Sequence, residues 1–234
     1  MQYIDYIKTV LSDEERFKNF RQNRGSSYRT VLEHLTEHDG KRYYQEIKKR
    51  FDNHADILRA ALKNDELGNP EVYKYAPDIH MNPTTMRYCF VALEILETFK
   101  NLRDVNYIEI GAGYGGQCRI LHSLVPMNSV TLFDLPIAMQ LQERFLQHFS
   151  IEVSKGDIRE NFDIPPASLV VSNYAWCELD REHRNVYMEK VLNKCDKFYL
   201  TAYDIDVEGE FSHFENIEIE KDFFNGCYII KKLA

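Results

Sequence analysis

A run of glycines lies near the middle of the chain, in Ile108-Glu109-Ile110-Gly111-Ala112-Gly113-Tyr114-Gly115-Gly116. Glycine lets the backbone turn sharply and lets a ligand approach without a Cβ in the way. The first N–H groups of the helix that follows can bind an anionic group. The same glycines satisfy the dinucleotide fingerprint G-x-G-x-x-G, and a glycine-rich turn can also be purely structural. The run therefore predicts a cofactor loop of the nucleotide type without selecting the cofactor.

Acidic residues follow the next two predicted strands. Asp134 ends the second strand, where its carboxylate can accept hydrogen bonds from ribose hydroxyls. Because Leu135 and a proline come next, Asp134 could instead cap the following helix, and both roles could hold at once. Asp157 ends the third strand and could accept a hydrogen bond from an adenine amino group, with Ile158 against the ring. A simple Gly-Asp turn explains that segment equally well.

The fourth predicted strand ends in Ser172-Asn173-Tyr174-Ala175-Trp176-Cys177-Glu178, a dense group of polar and aromatic side chains. Its position predicts a place beside the reactive end of a bound cofactor. Glu178 is the first candidate for a general base, and Asn173 is expected to orient the acceptor or the cofactor. Trp176, the one tryptophan of the chain, is expected to pack in the core.

Residues outside these strand ends supply further candidates. His80 precedes a helix predicted to begin at Pro83, and it is a second candidate base. Arg87 suits a cofactor carboxylate or an acceptor phosphate, with a plain salt bridge as the alternative. Asp204 and His183 are weaker candidate bases. No metal is predicted, because the two carboxylates that flank the end of the fifth strand are weak evidence for one.

The elements that must position these residues are visible from residue 105 onward. Apolar runs predict strands at 106–110, 129–133, 151–154, 168–172 and 197–202, with helices at 115–124, 136–149 and 180–192. Runs near 216–219 and 227–231, separated by Asn225-Gly226, predict a terminal hairpin. Alternating strands and helices imply a parallel sheet, whose ligands bind at the carboxyl ends of the strands.

The first hundred residues are charged and helical in pattern. Apolar residues spaced by three and four predict one helix over 41–63, residues 64–70 should break it, and 75–82 should form a loop. We therefore expect a helical cap or acceptor-binding region over 1–104 and a cofactor-binding core over 105–234.

Composition limits the partners and the compartment. A net charge of −8 argues against a duplex nucleic-acid partner, and the basic run at 48–50 is explained by a solvated helix face. Five cysteines without a Cys-x-x-Cys pair predict free thiols in a reducing compartment. No apolar stretch is long enough for a signal peptide or a membrane span. We therefore expect a cytoplasmic protein, and a homodimer is compatible with the sequence.

Four segments, in their order and spacing over about residues 75–205, resemble the family of sugar O-methyltransferases. They are Asn82-Pro83-Thr84-Thr85-Met86-Arg87-Tyr88, the glycine run continued to Cys118, Phe133-Asp134-Leu135-Pro136, and the segment that ends at Glu178. The glycine run is general to class I methyltransferases, whereas the first and last segments are more specific. Ala112 departs mildly from the family, whose members usually have glycine there.

The resemblance implies a Rossmann-like class I methyltransferase of the α/β class: a mostly parallel sheet of seven strands with a terminal antiparallel hairpin. It implies S-adenosyl-L-methionine as cofactor and O-methylation of a small acceptor, such as a sugar or a derivative within a surface polysaccharide. The expected catalytic residues are Glu178, His80 and Asn173. The expected cofactor-binding residues are Arg87, Glu109, Gly111, Ala112, Gly113, Gly115, Asp134, Leu135, Asp157, Ile158 and Asn173.

Three features of the chain itself favour S-adenosylmethionine over a nicotinamide: the glycine run follows a long helical region, the sheet ends in an antiparallel hairpin, and Glu109 lies inside the first strand. A buried carboxylate is costly there unless a cationic group pairs with it. A nicotinamide oxidoreductase would need a set such as Tyr-x-x-x-Lys, and Tyr187 and Lys190 are one residue too close. A non-enzymatic binding protein, and an amine or phosphate-type oxygen as acceptor, stay open.

Overall fold

The computed structural model describes residues 3–22, 32–52, 54–100, 102–160, 162–224 and 227–233. The chain forms two compact units. The first consists of Met1–Asn101, Gly113–Leu124 and Pro136–Ile151, and the second of Leu102–Ala112, Val125–Leu135 and Glu152–Ala234. Among the described residues, no helix has both the length and the apolar composition needed to cross a lipid bilayer.

The first unit is mainly helical. Its helices are α1 (Tyr3–Leu11), α2 (Glu14–Lys18), α3 (Glu37–Arg50), α4 (His54–Ala61), α5 (Pro83–Thr98), α6 (Gly116–His122) and α7 (Pro136–Gln147). A 3₁₀ turn over Leu62–Glu66 follows α4, and an antiparallel hairpin joins β1 (Tyr73–Ala76) to β2 (Ile79–Met81).

The single helix predicted over 41–63 is wrong, because the chain divides it into α3 and α4. α3 begins earlier, at a capping box in which Thr36 and Asp39 each accept a hydrogen bond from the other's backbone N–H. It ends at Phe51, whose backbone is extended at φ −126° and ψ 112°. Phe51 is buried against Phe90 on α5, with 6.0 Å between ring centroids, so tertiary packing overrides the helical spacing.

The helix predicted from Pro83 is confirmed as α5. Asn82 caps it, since its side-chain oxygen accepts hydrogen bonds from the N–H groups of Thr84 and Thr85, and the proline occupies the first turn. The loop predicted over 75–82 is wrong in part, because most of it pairs as the β1–β2 hairpin.

The second unit is built on a seven-stranded sheet with the order β5-β4-β3-β6-β7-β9-β8. Its strands are β3 (Val105–Ile110), β4 (Met127–Phe133), β5 (Ser154–Lys155), β6 (Ser168–Asn173), β7 (Lys197–Ala202), β8 (Ile217–Lys221) and β9 (Tyr228–Lys232). The first five pair in parallel with one another, and β9 lies antiparallel between β7 and β8. The predicted α/β class and the antiparallel terminal hairpin are confirmed; the predicted turn Asn225-Gly226 lies outside the described residues.

Local boundaries in the second unit differ from the sequence pattern at two places. The strand predicted over 151–154 is only the two-residue β5, which begins at Ser154. The helix predicted over 180–192 consists of α9 (Arg181–Tyr187) and a π-helical turn over Met188–Leu192, after a short α8 (Ala175–Glu178). Asp180 caps α9 through the N–H of His183. The core packs apolar side chains from β3, β6, β7 and β9 against this helical segment.

Candidate functional site

The carboxyl ends of four parallel strands are tied together by hydrogen bonds. The Gly111 N–H donates to the carbonyl of Phe133 at 2.8 Å, which links the ends of β3 and β4. The Ser172 hydroxyl donates to the carbonyl of Ile110 at 3.0 Å, which links β6 to β3. The N–H of Gly156, the residue after β5, donates to the carbonyl of Leu132 on β4 at 2.8 Å, which links β5 to β4. The acids predicted at these strand ends therefore share one edge of the sheet.

Packing explains why residue 111 is glycine. Its φ is +72°, and a Cβ there would lie 2.1 Å from the Cβ of Ala175 on α8. An L-residue would meet both a backbone penalty and a steric clash. The glycine thus lets the segment after β6 close against the end of β3. Packing against Ala175 is therefore one reason for this glycine, and its contact with a cofactor stays a prediction.

The rest of the glycine loop lies in the first unit and is held by buried amides. Gly113 and Gly115 have φ of +59° and +94°. The Gln142 side chain donates to the carbonyl of Gly113 at 3.1 Å, and the Asn64 side chain donates to that of Gly116 at 3.0 Å. The loop backbone is therefore fixed by side chains from separate elements of that unit.

Tyr114, inside the loop, has no exposed surface. Its ring lies edge-on to Phe145 at 4.8 Å, and the Arg21 guanidinium sits 4.5 Å from the ring centroid. Arg21 is itself buried and forms ion pairs with Glu33 at 2.5 Å and Asp65 at 3.0 Å. These contacts rigidify the loop, and the sequence contained no local signal for Arg21.

Glu109 is a buried acid next to the strand end. Only 1% of its surface is exposed, and the Tyr107 hydroxyl donates to its Oε2 at 2.8 Å. Burial raises the pKa of Glu109 to about 8; the Tyr107 hydrogen bond opposes the rise and the Asp134 carboxylate adds to it. The position therefore favours a neutral acid, or a carboxylate paired with a cation.

Asp134 is half-buried at the end of β4. Its Oδ1 accepts a hydrogen bond from the N–H of Leu135 at 2.7 Å, so it contributes to the turn that leads to α7. Leu135 is 47% exposed. Glu109 pairs with Leu132 and Ile110 with Phe133, so Asp134, the next residue along the chain, follows the end of the strand beside Glu109. Carboxylates only accept hydrogen bonds, which suits hydroxyls and cations.

Asp157 is engaged by a neighbour in the loop after β5. Arg159 donates to it from Nη2 at 2.5 Å, from Nε and from its backbone N–H. Hydrogen bonds from the Arg159 side chain, and then from its backbone, lower the pKa of Asp157 to about 2. Ile158 packs against the core, and its carbonyl accepts a hydrogen bond from Lys190 at 2.7 Å. The adenine contacts of Asp157 and Ile158 stay predictions.

Asn173 and Glu178 lie at the end of β6 and in α8. The Thr201 hydroxyl donates to Oδ1 of Asn173 at 2.8 Å, which fixes the orientation of the amide. Glu178 is among the exposed residues, yet the surrounding chain shields its carboxyl enough to raise its pKa. An accessible carboxyl with a raised pKa is suited to accept a proton near neutral pH.

The remaining sequence candidates are placed elsewhere. His80 is exposed on β2 and Arg87 is buried on α5, both in the first unit. His183 is exposed, and its Nδ1 lies 2.8 Å from Asp180. Asp204 is exposed just after β7. Over the described part of the chain, no three His, Cys, Asp or Glu side chains group closely enough to hold a metal ion.

Two neighbours of Glu178 were missing from the sequence prediction. Tyr203 is 47% exposed at the end of β7, and Cys177 is the one cysteine that is not buried. The position of Tyr203, just past a correctly predicted strand, was the available signal. Trp176 is fully buried and donates to Glu210 at 3.2 Å, so the prediction that it packs in the core is confirmed.

Solved structures share this architecture. A protein from Thermoplasma acidophilum aligns with 76% of this chain and 94% of its own, with a TM-score of 0.53 and 14% identity. A candidate RNA methyltransferase from Pyrococcus horikoshii aligns with 77% of this chain and 98% of its own, with a TM-score of 0.50 and 13% identity. No family model matches the chain, and no curated protein matches its sequence. The chain therefore has the Rossmann-like class I methyltransferase fold, while the sugar O-methyltransferase resemblance stays a prediction.

Proposed function

We propose that this protein is an S-adenosylmethionine-dependent methyltransferase that transfers the methyl group to an oxygen of a small hydroxylated acceptor. The observation that carries the proposal is the pair of carboxylates, Glu109 and Asp134, at the ends of adjacent strands of this fold. Buried Glu109 favours a cationic partner, and Asp134 can accept hydrogen bonds from a ribose. A dinucleotide would supply the ribose, but its pyrophosphate would bring negative charge toward these acids.

The residues present fit S-adenosylmethionine. Glu109 and Asp134 would face the positive charge and the ribose of the cofactor, and Asn173 would contact it at the end of β6. Gly111 and Ala112 begin the loop that would hold the methionyl part. Gly113, Gly115 and Arg87 are further proposed cofactor-binding residues. Leu135, Asp157 and Ile158 are proposed to contact the adenosine.

The chain must supply acceptor positioning and proton removal. The bound cofactor supplies an electrophilic methyl group on sulfonium sulfur. Glu178 would accept the proton of the acceptor hydroxyl as that oxygen forms its bond to carbon, and its raised pKa makes it a stronger base than an ordinary glutamate. Asn173, oriented by Thr201, would align the acceptor. His80 is the second proposed base.

A small acceptor, such as a sugar or its derivative, is the finer part of the proposal. Its support is the Pro-Thr-Thr and Ser-Asn-Tyr-Ala resemblance and the net charge of −8, which disfavours a polyanionic acceptor. The description of the Pyrococcus horikoshii neighbour points to RNA instead. An amine or phosphate-type oxygen is the alternative acceptor within methyl transfer.

A thermal-shift comparison of S-adenosylhomocysteine with NAD tests the proposed cofactor. A ligand that binds only the folded state stabilises it by RT ln(1 + [L]/Kd), about 2.7 kcal/mol at one hundred times Kd. We expect S-adenosylhomocysteine to raise the melting temperature by several degrees and NAD to leave it unchanged. Adenosine serves as a matched control for binding of the nucleoside alone. A shift with NAD and none with S-adenosylhomocysteine would replace methyl transfer by the oxidoreductase alternative.

A further inference from the structure

Tyr174 has a backbone conformation that bulky residues avoid. It follows β6 with φ +66° and ψ −15°, in the left-handed region. Two contacts hold it there: its N–H donates to the carbonyl of Thr201 at 3.1 Å and to the Thr201 hydroxyl at 3.0 Å. Conformations of this kind cost about 1–3 kcal/mol and concentrate at functional sites, where the surrounding structure imposes them.

The conformation places Tyr174 beside Tyr203. The two ring centroids are 6.4 Å apart with 46° between the ring planes, so the rings form two tilted walls and do not stack on each other. Tyr203 is 47% exposed, although a large aromatic ring gains free energy when it is covered. Tyr174 and Tyr203 directly follow Asn173 and Ala202, the last residues of β6 and β7, so both rings lie at the carboxyl ends of these strands.

Cys177 lies beside Tyr174. Its thiol donates to the carbonyl of Tyr174 at 2.8 Å. Burial raises the pKa of Cys177, so it stays a neutral thiol that can donate this hydrogen bond. The pKa of the Tyr203 phenol is raised first by neighbouring Cys177, then by burial and by Glu178. Glu178, the proposed base, is the last residue of α8, the helix that begins directly after Tyr174, so it belongs to the same segment as one of the two rings.

The geometry points to Tyr174 and Tyr203 as an acceptor subsite, in which two aromatic walls cover the apolar face of a ring whose hydroxyl is directed toward Glu178. The inference rests on the proposed function for the role of Glu178. It adds that the acceptor contains a ring and is either a pyranose or an aromatic alcohol. Both classes present a flat apolar face with hydroxyls at the edge. An acyclic polyol lacks such a face and would leave the Tyr203 ring in water.

Saturation-transfer NMR on the full chain tests the subsite, with phenyl β-D-glucopyranoside as the probe. The probe carries a pyranose and an aromatic ring, so the protons that receive saturation identify which ring contacts the tyrosines. We expect transfer to the probe and none to sorbitol. Tyr203→Ala should lower the transfer at least fivefold, and Tyr203→Phe, which keeps the ring, should retain at least half of it.

Ile219→Ala is the matched control, because Ile219 is an exposed apolar residue at 37% on the edge strand β8. Equal transfer in the wild type, Tyr203→Ala and Ile219→Ala would overturn the subsite, as would no transfer in the wild type. Calorimetry of S-adenosylhomocysteine on the same samples separates the two proposals. Cofactor binding without probe transfer rejects only the subsite, and probe transfer without cofactor binding rejects only the proposed function.

Discussion

At the scale of single residues, Glu178 combines two properties that a general base needs. It is accessible to an acceptor, and partial shielding raises the pKa of its carboxyl. Asn173 and Tyr203 lie at neighbouring strand ends and can orient the acceptor. Glu109, in contrast, is buried and is suited to compensating charge.

Glu178→Gln tests the base directly. The amide keeps the size of the side chain but cannot accept a proton, so we expect turnover to fall by about a hundredfold or more. The affinity for S-adenosylhomocysteine should stay within about twofold, since the substitution leaves the cofactor contacts in place. Methyl transfer from labelled S-adenosylmethionine to a hydroxylated acceptor gives the rate. Glu182→Gln, an exposed glutamate on α9, is the control, and a wild-type rate in Glu178→Gln would exclude Glu178 as base.

Asp134→Ala tests the ribose assignment. Removing the carboxylate should weaken S-adenosylhomocysteine binding at least tenfold, or about 1.4 kcal/mol. Isothermal calorimetry measures the change. Asp163→Ala, which removes the charge of an exposed aspartate, is the matched control. An affinity equal to that of the wild type would reject the ribose assignment.

At the scale of elements, the contact between the end of β3 and α8 depends on two small residues. Gly111→Ala puts a Cβ 2.1 Å from that of Ala175 and forces an L-residue to φ +72°. We expect it to lower the free energy of unfolding by on the order of 2 kcal/mol. Urea denaturation followed by circular dichroism measures the loss.

The double variant Gly111→Ala/Ala175→Gly separates the two causes. It removes the clash and leaves the backbone penalty, about 1 kcal/mol for an L-residue in this region. Partial recovery of stability is therefore expected. A double variant no more stable than Gly111→Ala would show that close packing against α8 is not the reason for the glycine.

Strong local signals explain which elements could be predicted from the sequence. The strand at 197–202 matches β7, and α5 begins at its predicted proline, because β-branched and aromatic runs and caps are local features. The helix predicted over 41–63 failed because burial of Phe51 ends α3, which depends on a partner distant in sequence. The same limit applies to the site: topology predicted the strand-end acids, whereas Arg21, Tyr203 and the contacts of Cys177 depend on tertiary structure.

At the scale of the whole molecule, Glu109 makes the free energy of unfolding depend on pH. Its pKa is about 8 in the folded chain, above its ordinary value of 4.5, so folding favours the protonated acid. The resulting stability is fully present below about pH 4.5 and is lost as pH rises through about 8. Between these two pH values, the contribution of Glu109 to the free energy of unfolding falls by about 1.4 kcal/mol per pH unit.

Glu109→Gln should remove this dependence. Between pH 5.5 and 7.5 we expect the wild type to lose about 2.5 kcal/mol more of its free energy of unfolding than the variant does. Urea titrations at the two pH values measure the difference. Tyr107→Phe, which removes the hydrogen bond that lowers the pKa, should extend the loss to higher pH. Parallel curves for the wild type and Glu109→Gln would show that the carboxyl is ionised throughout.

The position of β9 between β7 and β8 also constrains how the sheet can assemble. Among the strands of the described residues, β8 pairs with β9 alone, so it cannot join the sheet before β9 has found its register. The β8–β9 hairpin closes a short loop and can form in microseconds, whereas pairing with β7 must span a longer separation in sequence. We therefore expect the hairpin to form first and to dock as a unit. Substitutions that weaken the β8–β9 pairing should therefore slow folding, whereas those that weaken the β7–β9 pairing alone should mainly speed unfolding.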